Sequence, residues 1–267
     1  MKKTIAFIGV GNMGSAILNG MLQSQSFSAE DIIVCDTDEH KCHPFTEMGC
    51  CYASDTVSAV SKADVVLLAV KPQLIDSVME GFAASTSGKL IISIAAGVTI
   101  DRIAAALPGA KVIRVMPNTP LQVGEGVSAL CRGENVTDEE YALACRIFSC
   151  SGMIFETTES LLNPITALTS SSIAYFARFI GDMCAWGKKN GFEDPDALLE
   201  LVCRSAIGTA EMLMQTEFAP DTLEAAVTSP RGTTERAMAV FTERDLSNIV
   251  SDAMDACRKR ADELSGN

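Results

Sequence analysis

Short apolar runs alternate with helix-forming segments through the first half of the chain, and this alternation predicts a parallel sheet covered on both faces. Seven runs have the length and composition of buried strands. They are Thr4 to Ile8, Ile32 to Cys35, Val65 to Val70, Leu90 to Ile94, Lys111 to Val115, Gly126 to Leu130 and Met153 to Glu156. We therefore predict a doubly wound α/β domain over residues 1–157.

The clearest helix of this half is predicted from Asp138 to Cys150. Thr137 and Glu140 have the spacing of a capping box at its start, and the apolar residues that follow share one helical face.

Residues 158–267 show helical spacing without the alternation of strands, which predicts an all-helical second domain. A long helix is expected around Ile173 to Gly187, and another from Asp194, with Pro195 in its first turn, to about Gln215. Further helices are predicted over Thr222 to Val227, Thr233 to Glu243 and Leu246 to Leu264. The apolar faces exceed what such helices cover, which favours a homodimer, with mutual packing of the faces as the alternative.

A glycine motif lies near the start of the chain, in the sequence IAFIGVGNMG. Gly9, Gly11 and Gly14 have G-x-G-x-x-G spacing between the first strand and a helix-forming run. In that setting the pattern is typical of a dinucleotide site, because the glycines allow a tight turn and close approach to a pyrophosphate at the helix N-terminus. Asp36, at the end of the second strand, completes the pattern. We therefore predict an oxidoreductase.

Composition narrows the possible partners. Among 267 residues, 34 acidic and 21 basic side chains give a formal net charge of −13, which disfavours nucleic acid. The apolar runs are too short to predict a membrane span.

The ten cysteines show no C-x-x-C spacing, which favours reduced thiols and a cytoplasmic location. His40, Cys42 and His43 lie close together, but in a turn where solvated polar residues are expected, so we predict no metal site.

Three turns follow the third, fourth and fifth predicted strands, at the sheet edge where nicotinamide binds in such folds. They read AVKPQ, AAGVT and MPNTP. Pro72 fixes the first turn, Gly97 brings unhindered backbone close in the second, and Asn118 and Thr119 offer side-chain hydrogen bonds in the third. Each is otherwise an ordinary connection between strand and helix.

The positions of the histidine and lysine residues that could act as general acids favour the reduction of an imine. Both histidines of the chain lie in the nucleotide-binding half, and residues 161–187 contain no lysine, the residue that a hydroxyacid dehydrogenase of similar layout would use. A protonated imine is already electrophilic and accepts hydride without a strong general acid.

The segment VTSPRGTTERAM is a candidate site for a small carboxylate. Pro230 ends one helix, Gly232 allows a tight turn, and Thr233 and Thr234 are expected to cap the next helix with free N–H groups. The alternative is a plain connection between two helices.

These residues together resemble the pyrroline-5-carboxylate reductase family. FIGVGNMG, AVKPQ, SIAAGVT, VIRVMPNTP, TALTSSSIAYF and SPRGTT occur in order over essentially the whole chain. The resemblance implies an N-terminal Rossmann domain and a C-terminal helical domain interlocked with that of a second subunit, often in decamers of such dimers. It also implies the reduction of 1-pyrroline-5-carboxylate to L-proline by NAD(P)H.

The resemblance also assigns site residues. The substrate carboxylate would lie against Ser229, Gly232, Thr233 and Ser171. The catalytic residues that it implies are Thr234, whose hydroxyl would bond the ring nitrogen, and Glu159, which would lie near the substrate pocket. The cofactor contacts it implies are Gly9, Gly11, Asn12, Met13, Gly14, Asp36, Thr37, Thr56, Ala69, Val70, Lys71, Pro72, Ala95, Ala96, Gly97 and Asn118.

Two departures from the family pattern leave alternatives open. Thr169 to Tyr175 reads T-S-S-S-I-A-Y where most members have S-G-S-G-P-A-Y, and Arg231 replaces a glycine of P-G-G-T-T. Arg231 has the chemistry to pair with an extra carboxylate. The alternatives are a reductase of a different cyclic imine carboxylate and a catalytically inactive dinucleotide-binding regulator.

The choice of cofactor depends on the residues after the second strand. Asp36 favours the 2′-hydroxyl of NADH and repels a 2′-phosphate, and Asp38 and Glu39 add to that repulsion. Thr37 is a small hydroxyl residue of the kind with which relatives hold NADPH. The balance favours NADH weakly.

Overall fold

A computed structural model describes residues 3–265 of the chain. Its centre is an eight-stranded sheet with the order β3-β2-β1-β4-β5-β6-β7-β8. The strands are β1 (Ile5–Ile8), β2 (Ile32–Cys35), β3 (Cys51–Tyr52), β4 (Val65–Leu68), β5 (Leu90–Ser93), β6 (Lys111–Pro117), β7 (Gly126–Arg132) and β8 (Gly152–Glu156). The seven strands that the apolar runs predict are all present, and six of them differ from the prediction by one or two residues at one end.

The sheet differs from the predicted all-parallel arrangement at one pair of strands. β6 and β7 are antiparallel, with Val115 opposite Leu130. Their connection spans only residues 118–125, whereas a parallel crossover needs about a dozen residues or more. The sequence prediction also missed β3, because its two residues are exposed and form no apolar run.

The core lies on both faces of this sheet. All four residues of β1 are buried, and they alternate between two apolar clusters. Ile5 and Phe7 pack in one cluster, and Ala6 and Ile8 pack in the other. A strand buried on both faces has a continuous apolar run, which is why the pattern identified these strands.

The helices that cover the sheet begin and end close to their sequence signals. They are α1 (Asn12–Gln23), α2 (His43–Glu47), α3 (Thr56–Lys62), α4 (Ile75–Phe82), α5 (Ile100–Ala106), α6 (Asp138–Ser149) and α7 (Glu159–Ile165). The capping box of α6 is confirmed, since Thr137 accepts from the Glu140 N–H and Glu140 accepts from the Thr137 N–H.

A π-helical segment, Thr166–Ser171, connects α7 to the remaining helices. These are α8 (Ser172–Lys189), α9 (Pro195–Gln215), α10 (Pro220–Val227), α11 (Thr233–Glu243) and α12 (Leu246–Ser265). The chain divides into two compact units: one extends to Ser170 and includes the residues from Cys257 onward, and the other comprises Ser171–Ala256. The boundary at 157/158 stays a prediction.

The helices of the second unit leave large apolar side chains exposed in the single chain. On α8, Phe176 is 66% exposed and Trp186 is 65% exposed. Exposed apolar faces of this size favour burial against another chain. None of the helices within residues 3–265 has the length and apolar character that crossing a membrane requires.

Candidate active site

The glycine turn after β1 is shaped by contacts that exclude larger side chains. Gly9 has φ +96°, and its N–H donates to the Cys35 carbonyl at 2.8 Å. A Cβ at Gly9 would lie 2.6 Å from the carbonyl oxygen of Ala69, and a Cβ at Gly14 would lie 2.5 Å from the carbonyl oxygen of Gly9. Both glycines are therefore required by the fold itself.

Gly11 is different, because a Cβ there would meet no described protein atom within 4 Å. It is the N-cap of α1 and provides no capping side chain. The N–H of Ser15 donates to the Gly11 carbonyl at 2.8 Å, so the N–H groups of residues 12–14 precede the first helical hydrogen bond. This combination of open space and free N–H groups fits a dinucleotide pyrophosphate.

A cavity of about 560 Å³ adjoins this turn. It is lined by eight of the predicted cofactor residues, namely Gly9, Gly11, Asp36, Thr37, Thr56, Ala69, Val70 and Lys71. Lys41, Ser54 and Asp55 also line the cavity, although the sequence analysis did not assign them to the site.

Asp36 connects the glycine turn to the loop after β2. Its Oδ2 accepts from the Val10 N–H at 2.8 Å, and its Oδ1 accepts from the Asp38 N–H at 3.0 Å and from Lys41 Nζ at 3.3 Å. Burial raises the pKa of Asp36, but the hydrogen bonds and the charge of Lys41 outweigh it and hold the pKa below its usual value. The carboxylate is therefore charged at neutral pH.

Asp55 explains the position of Thr56 in the cavity. It is the N-cap of α3, and its carboxylate accepts from the Ser58 N–H at 2.8 Å and the Ser58 hydroxyl at 2.7 Å. Thr56 is consequently the first residue of α3. The spacing of Asp55 and Ser58 was a recognisable helix-start signal in the sequence.

Two other predicted cofactor segments make contacts within the chain. Asn118 is 4% exposed; its Oδ1 accepts from the Val127 N–H at 2.8 Å and its Nδ2 donates to the Thr169 carbonyl at 2.8 Å. A Cβ at Gly97, which has φ +75°, would lie 2.9 Å from the carbonyl oxygen of Leu264. These contacts give both residues a structural role, and their contact with a cofactor stays a prediction.

Glu159, the predicted acidic residue of the substrate pocket, forms an ion pair. Its Oε1 accepts from Arg114 Nη1 at 2.9 Å and from the Ile100 N–H at 2.9 Å. Arg114 is 2% exposed, so the carboxylate balances a buried charge. A catalytic role for Glu159 stays a prediction.

The turn before α11 contains the predicted substrate residues Ser229 to Thr234. The Gly232 N–H donates to the Ser229 carbonyl at 2.9 Å, and a Cβ at Gly232 would lie 2.4 Å from the Ser229 hydroxyl oxygen. The prediction that the threonines cap the helix is wrong: Gly232 is the N-cap, and Thr233 and Thr234 are the first two helical residues. Their N–H groups nevertheless lie in the first helical turn, where anions bind.

Arg231 has a backbone conformation that favours glycine. Its φ is +62°, in the left-handed region, and its N–H donates to the Glu235 carboxylate at 2.9 Å. Ser171, the remaining predicted substrate residue, is the last residue of the π-helical segment.

Comparison with known proteins places these features in a family. A family model described as pyrroline-5-carboxylate reductase dimerisation matches residues 159–264, and one described as NADP oxidoreductase coenzyme F420-dependent matches residues 4–97. The chain is 38% identical over 266 residues to the pyrroline-5-carboxylate reductase of Haemophilus influenzae, covering 98% of this chain and 97% of that protein. Identity to the Pasteurella multocida enzyme of the same name is 40% over 271 residues, with 98% of each covered.

Solved structures agree over the full length. The pyrroline-5-carboxylate reductase of Coxiella burnetii matches with a TM-score of 0.90 and 31% identity, covering 99% of both chains. The Plasmodium falciparum pyrroline carboxylate reductase, solved with NADP bound, matches with a TM-score of 0.91 and 26% identity, again covering 99% of both. Because enzymes of that name are 38% and 40% identical over 98% of this chain and solved reductases share its fold over 99% of it, the chain belongs to the pyrroline-5-carboxylate reductase family.

Proposed function

We propose that the chain reduces 1-pyrroline-5-carboxylate to L-proline with NADH or NADPH. The similarity over nearly the whole chain to enzymes of that name carries the proposal. The glycine turn supports it: of the three glycines of the motif, Gly11 is the one at which a Cβ would meet no described protein atom within 4 Å, and the approach of a dinucleotide requires such open space.

The chain's own residues would hold the cofactor in a defined order. The N–H groups of Asn12, Met13 and Gly14 would bind the pyrophosphate, while Asp36 and Thr37 would face the adenosine ribose. The remaining contacts would come from Thr56 and from the turns after β4, β5 and β6, at Ala69, Val70, Lys71, Pro72, Ala95, Ala96, Gly97 and Asn118. When bound, the reduced nicotinamide supplies a hydride to the imine carbon.

The substrate would be held by the turn before α11. Its carboxylate would accept hydrogen bonds from the first-turn N–H of Thr233 and from the Ser229 hydroxyl, with further contacts from Gly232 and Ser171. The Thr234 hydroxyl, for which the structure of residues 3–265 gives no hydrogen-bond partner, would bond the ring nitrogen and orient the imine. Since the imine binds protonated, reduction to the amine requires no strong acid on the enzyme.

The proposed assembly is a homodimer through the helical region, with decamers built from such dimers. The match of residues 159–264 to the dimerisation model supports the dimer, as do the exposed apolar side chains of α8. Light scattering coupled to gel filtration would give the subunit number.

A second candidate is a reductase of a larger cyclic imine carboxylate. Arg231 supports it, because its exposed side chain projects from the turn assigned to the substrate carboxylate, where the family pattern has glycine.

One assay separates the candidates. Nicotinamide absorbance is followed with 1-pyrroline-5-carboxylate and, separately, with the six-membered piperideine acid. Oxidation of the cofactor with the five-membered imine alone supports the proposal, and oxidation with the six-membered imine alone supports the second candidate. Cofactor binding without turnover of either would overturn both and leave a dinucleotide-binding regulator.

A further inference from the structure

Lys41 is a cation in the dinucleotide cavity that the proposed contacts leave unexplained. Its ammonium group lies 3.3 Å from Asp36 Oδ1 and 4.0 Å from Asp38 Oδ2. Asp36 is the carboxylate that follows β2, which in dinucleotide folds faces the 2′ position of the adenosine ribose. A basic side chain near that carboxylate therefore lies where NADH and NADPH differ.

Of the three donors to Asp36, Lys41 is the one that is free to move. The N–H groups of Val10 and Asp38 belong to the backbone and stay in place when the lysine leaves. The lysine side chain is 46% exposed, whereas that of Asp36 is only 9% exposed. At 3.3 Å the contact is also longer than a strong charge-assisted hydrogen bond, which measures about 2.7–2.9 Å.

The charges around the cavity depend on the same lysine. The charged residues that line it are Asp36, Asp55, Lys41 and Lys71, so the acids and bases balance. Lys71 follows β4, on the other side of β1 from Asp36 in the sheet. Loss of Lys41 would thus leave the carboxylate end of the cavity acidic, which disfavours a 2′-phosphate far more than a 2′-hydroxyl.

We propose that Lys41 determines whether this chain accepts NADPH. It pairs with Asp36 when the ribose carries a 2′-hydroxyl, and it moves to the phosphate, beside Thr37, when the ribose carries a 2′-phosphate. Asp36 retains its two backbone hydrogen bonds in both states, so the glycine turn is undisturbed. This inference rests on the proposed placement of the dinucleotide in the cavity.

The test measures binding rather than turnover. Dissociation constants of NADPH and NADH are determined by nicotinamide fluorescence for the full chain and for Lys41→Gln, and 2′,5′-ADP and 5′-AMP are compared as competitors. We expect Lys41→Gln to weaken NADPH and 2′,5′-ADP by about tenfold, the loss of one charge-assisted contact, and to change NADH and 5′-AMP by less than about twofold. Lys41→Arg keeps the charge and should retain NADPH binding.

Lys62→Gln, at the end of α3, is the matched control for the loss of one positive charge. Unchanged NADPH binding in Lys41→Gln would overturn the inference. An equal loss of affinity for NADPH and NADH would also overturn it, because Lys41 would then support the binding of both dinucleotides and would not distinguish between them. Failure of the unaltered chain to bind either dinucleotide would instead overturn the proposed function.

Discussion

Nη1 of Arg114 lies 2.9 Å from Oε1 of Glu159, and the guanidinium is buried within the sheet domain. The same carboxylate oxygen accepts the N–H of Ile100 at the start of α5. The buried Nε and Nη2 atoms of Arg114 have no hydrogen-bond partner within residues 3–265. One carboxylate therefore connects β6, α5 and α7 and neutralises a charge that the interior would otherwise disfavour.

Glu159→Ala is expected to destabilise the fold, because it leaves the charge of Arg114 buried without a partner. We expect a loss of about 3 kcal/mol, the lower end of the range for breaking a buried pair, since Glu159 is itself 31% exposed. Urea unfolding measures the change. The double variant Arg114→Met with Glu159→Leu should recover much of the loss. An unchanged midpoint with a large fall in kcat would show instead that Glu159 acts on the substrate.

Gly11→Ala and Gly14→Ala are expected to separate cofactor binding from folding. The added Cβ at Gly11 meets no described protein atom, so this variant should fold normally and lose dinucleotide affinity by about tenfold or more. The Cβ at Gly14 would lie 2.5 Å from the Gly9 carbonyl oxygen, so that variant should be destabilised by about 1–3 kcal/mol. Thermal unfolding and fluorescence titration measure the two effects. If folded Gly11→Ala bound the dinucleotide with normal affinity, the proposed position of the pyrophosphate beside Gly11 would be wrong.

Local sequence signals were sufficient to predict most of the fold. The bounds of β2 and α11 agree with the prediction, and Asp194 with Pro195 marks the start of α9. For β2 and α9 the deciding residues lie next to one another: β2 is a continuous apolar run, and α9 begins with an N-cap followed by proline. The antiparallel direction of β7 follows from the short connection between β6 and β7, and the apolar pattern of the two strands does not indicate it.

The side-chain partners of the candidate site were not predictable in the same way. Glu159 meets Arg114 from 45 residues away, and Asn118 meets the carbonyl of Thr169 from 51 residues away. No local pattern encodes which distant side chain satisfies a polar group. The structural roles of Asn118 and Glu159, and the position of Lys41 beside Asp36, therefore depend on the tertiary fold rather than on any local sequence pattern.

Glu140→Gln is expected to reduce stability in a pH-dependent way. Burial raises the pKa of Glu140, but hydrogen bonds from Lys111 and from the N–H and hydroxyl of Thr137 outweigh it, so the pKa is lowered from 4.5. A lowered pKa means that the carboxylate stabilises the fold above about pH 4.5 and that this contribution is lost as pH falls through the folded-state value. The wild type should exceed the variant by about 1–2 kcal/mol at pH 7.

The difference between the two urea midpoints should stay constant from pH 8 to about pH 6 and shrink below about pH 4.5. Glu139→Gln, on the exposed side of the same helical turn, controls for the loss of a charge near the helix N-terminus. A difference that grows on acidification would contradict the assigned sign.

Arg231→Gly is expected to stabilise the chain, because Arg231 has φ +62°, where a side chain is strained. Removal of the strain should exceed the greater entropy of glycine in the unfolded chain by about 0.5 kcal/mol. Arg236→Gly, inside α11, removes the same side chain from a helical position and should destabilise by about 1 kcal/mol. Opposite shifts of the two unfolding midpoints support the interpretation, and destabilisation by both variants contradicts it.

Thr234→Ala is expected to lower the rate of imine reduction without affecting the fold. The hydroxyl makes no hydrogen bond within the described residues, so its removal leaves no protein group unsatisfied, while the ring nitrogen of the proposed substrate loses its orienting partner. We expect kcat/KM to fall by about tenfold to a hundredfold, with Thr234→Ser retaining most of the rate. Thr242→Ala, whose hydroxyl bonds the Met238 carbonyl later in α11, is the control. Full activity in Thr234→Ala, with the control also active, would show that the hydroxyl does not contact the imine and that the substrate is oriented by other residues of the turn.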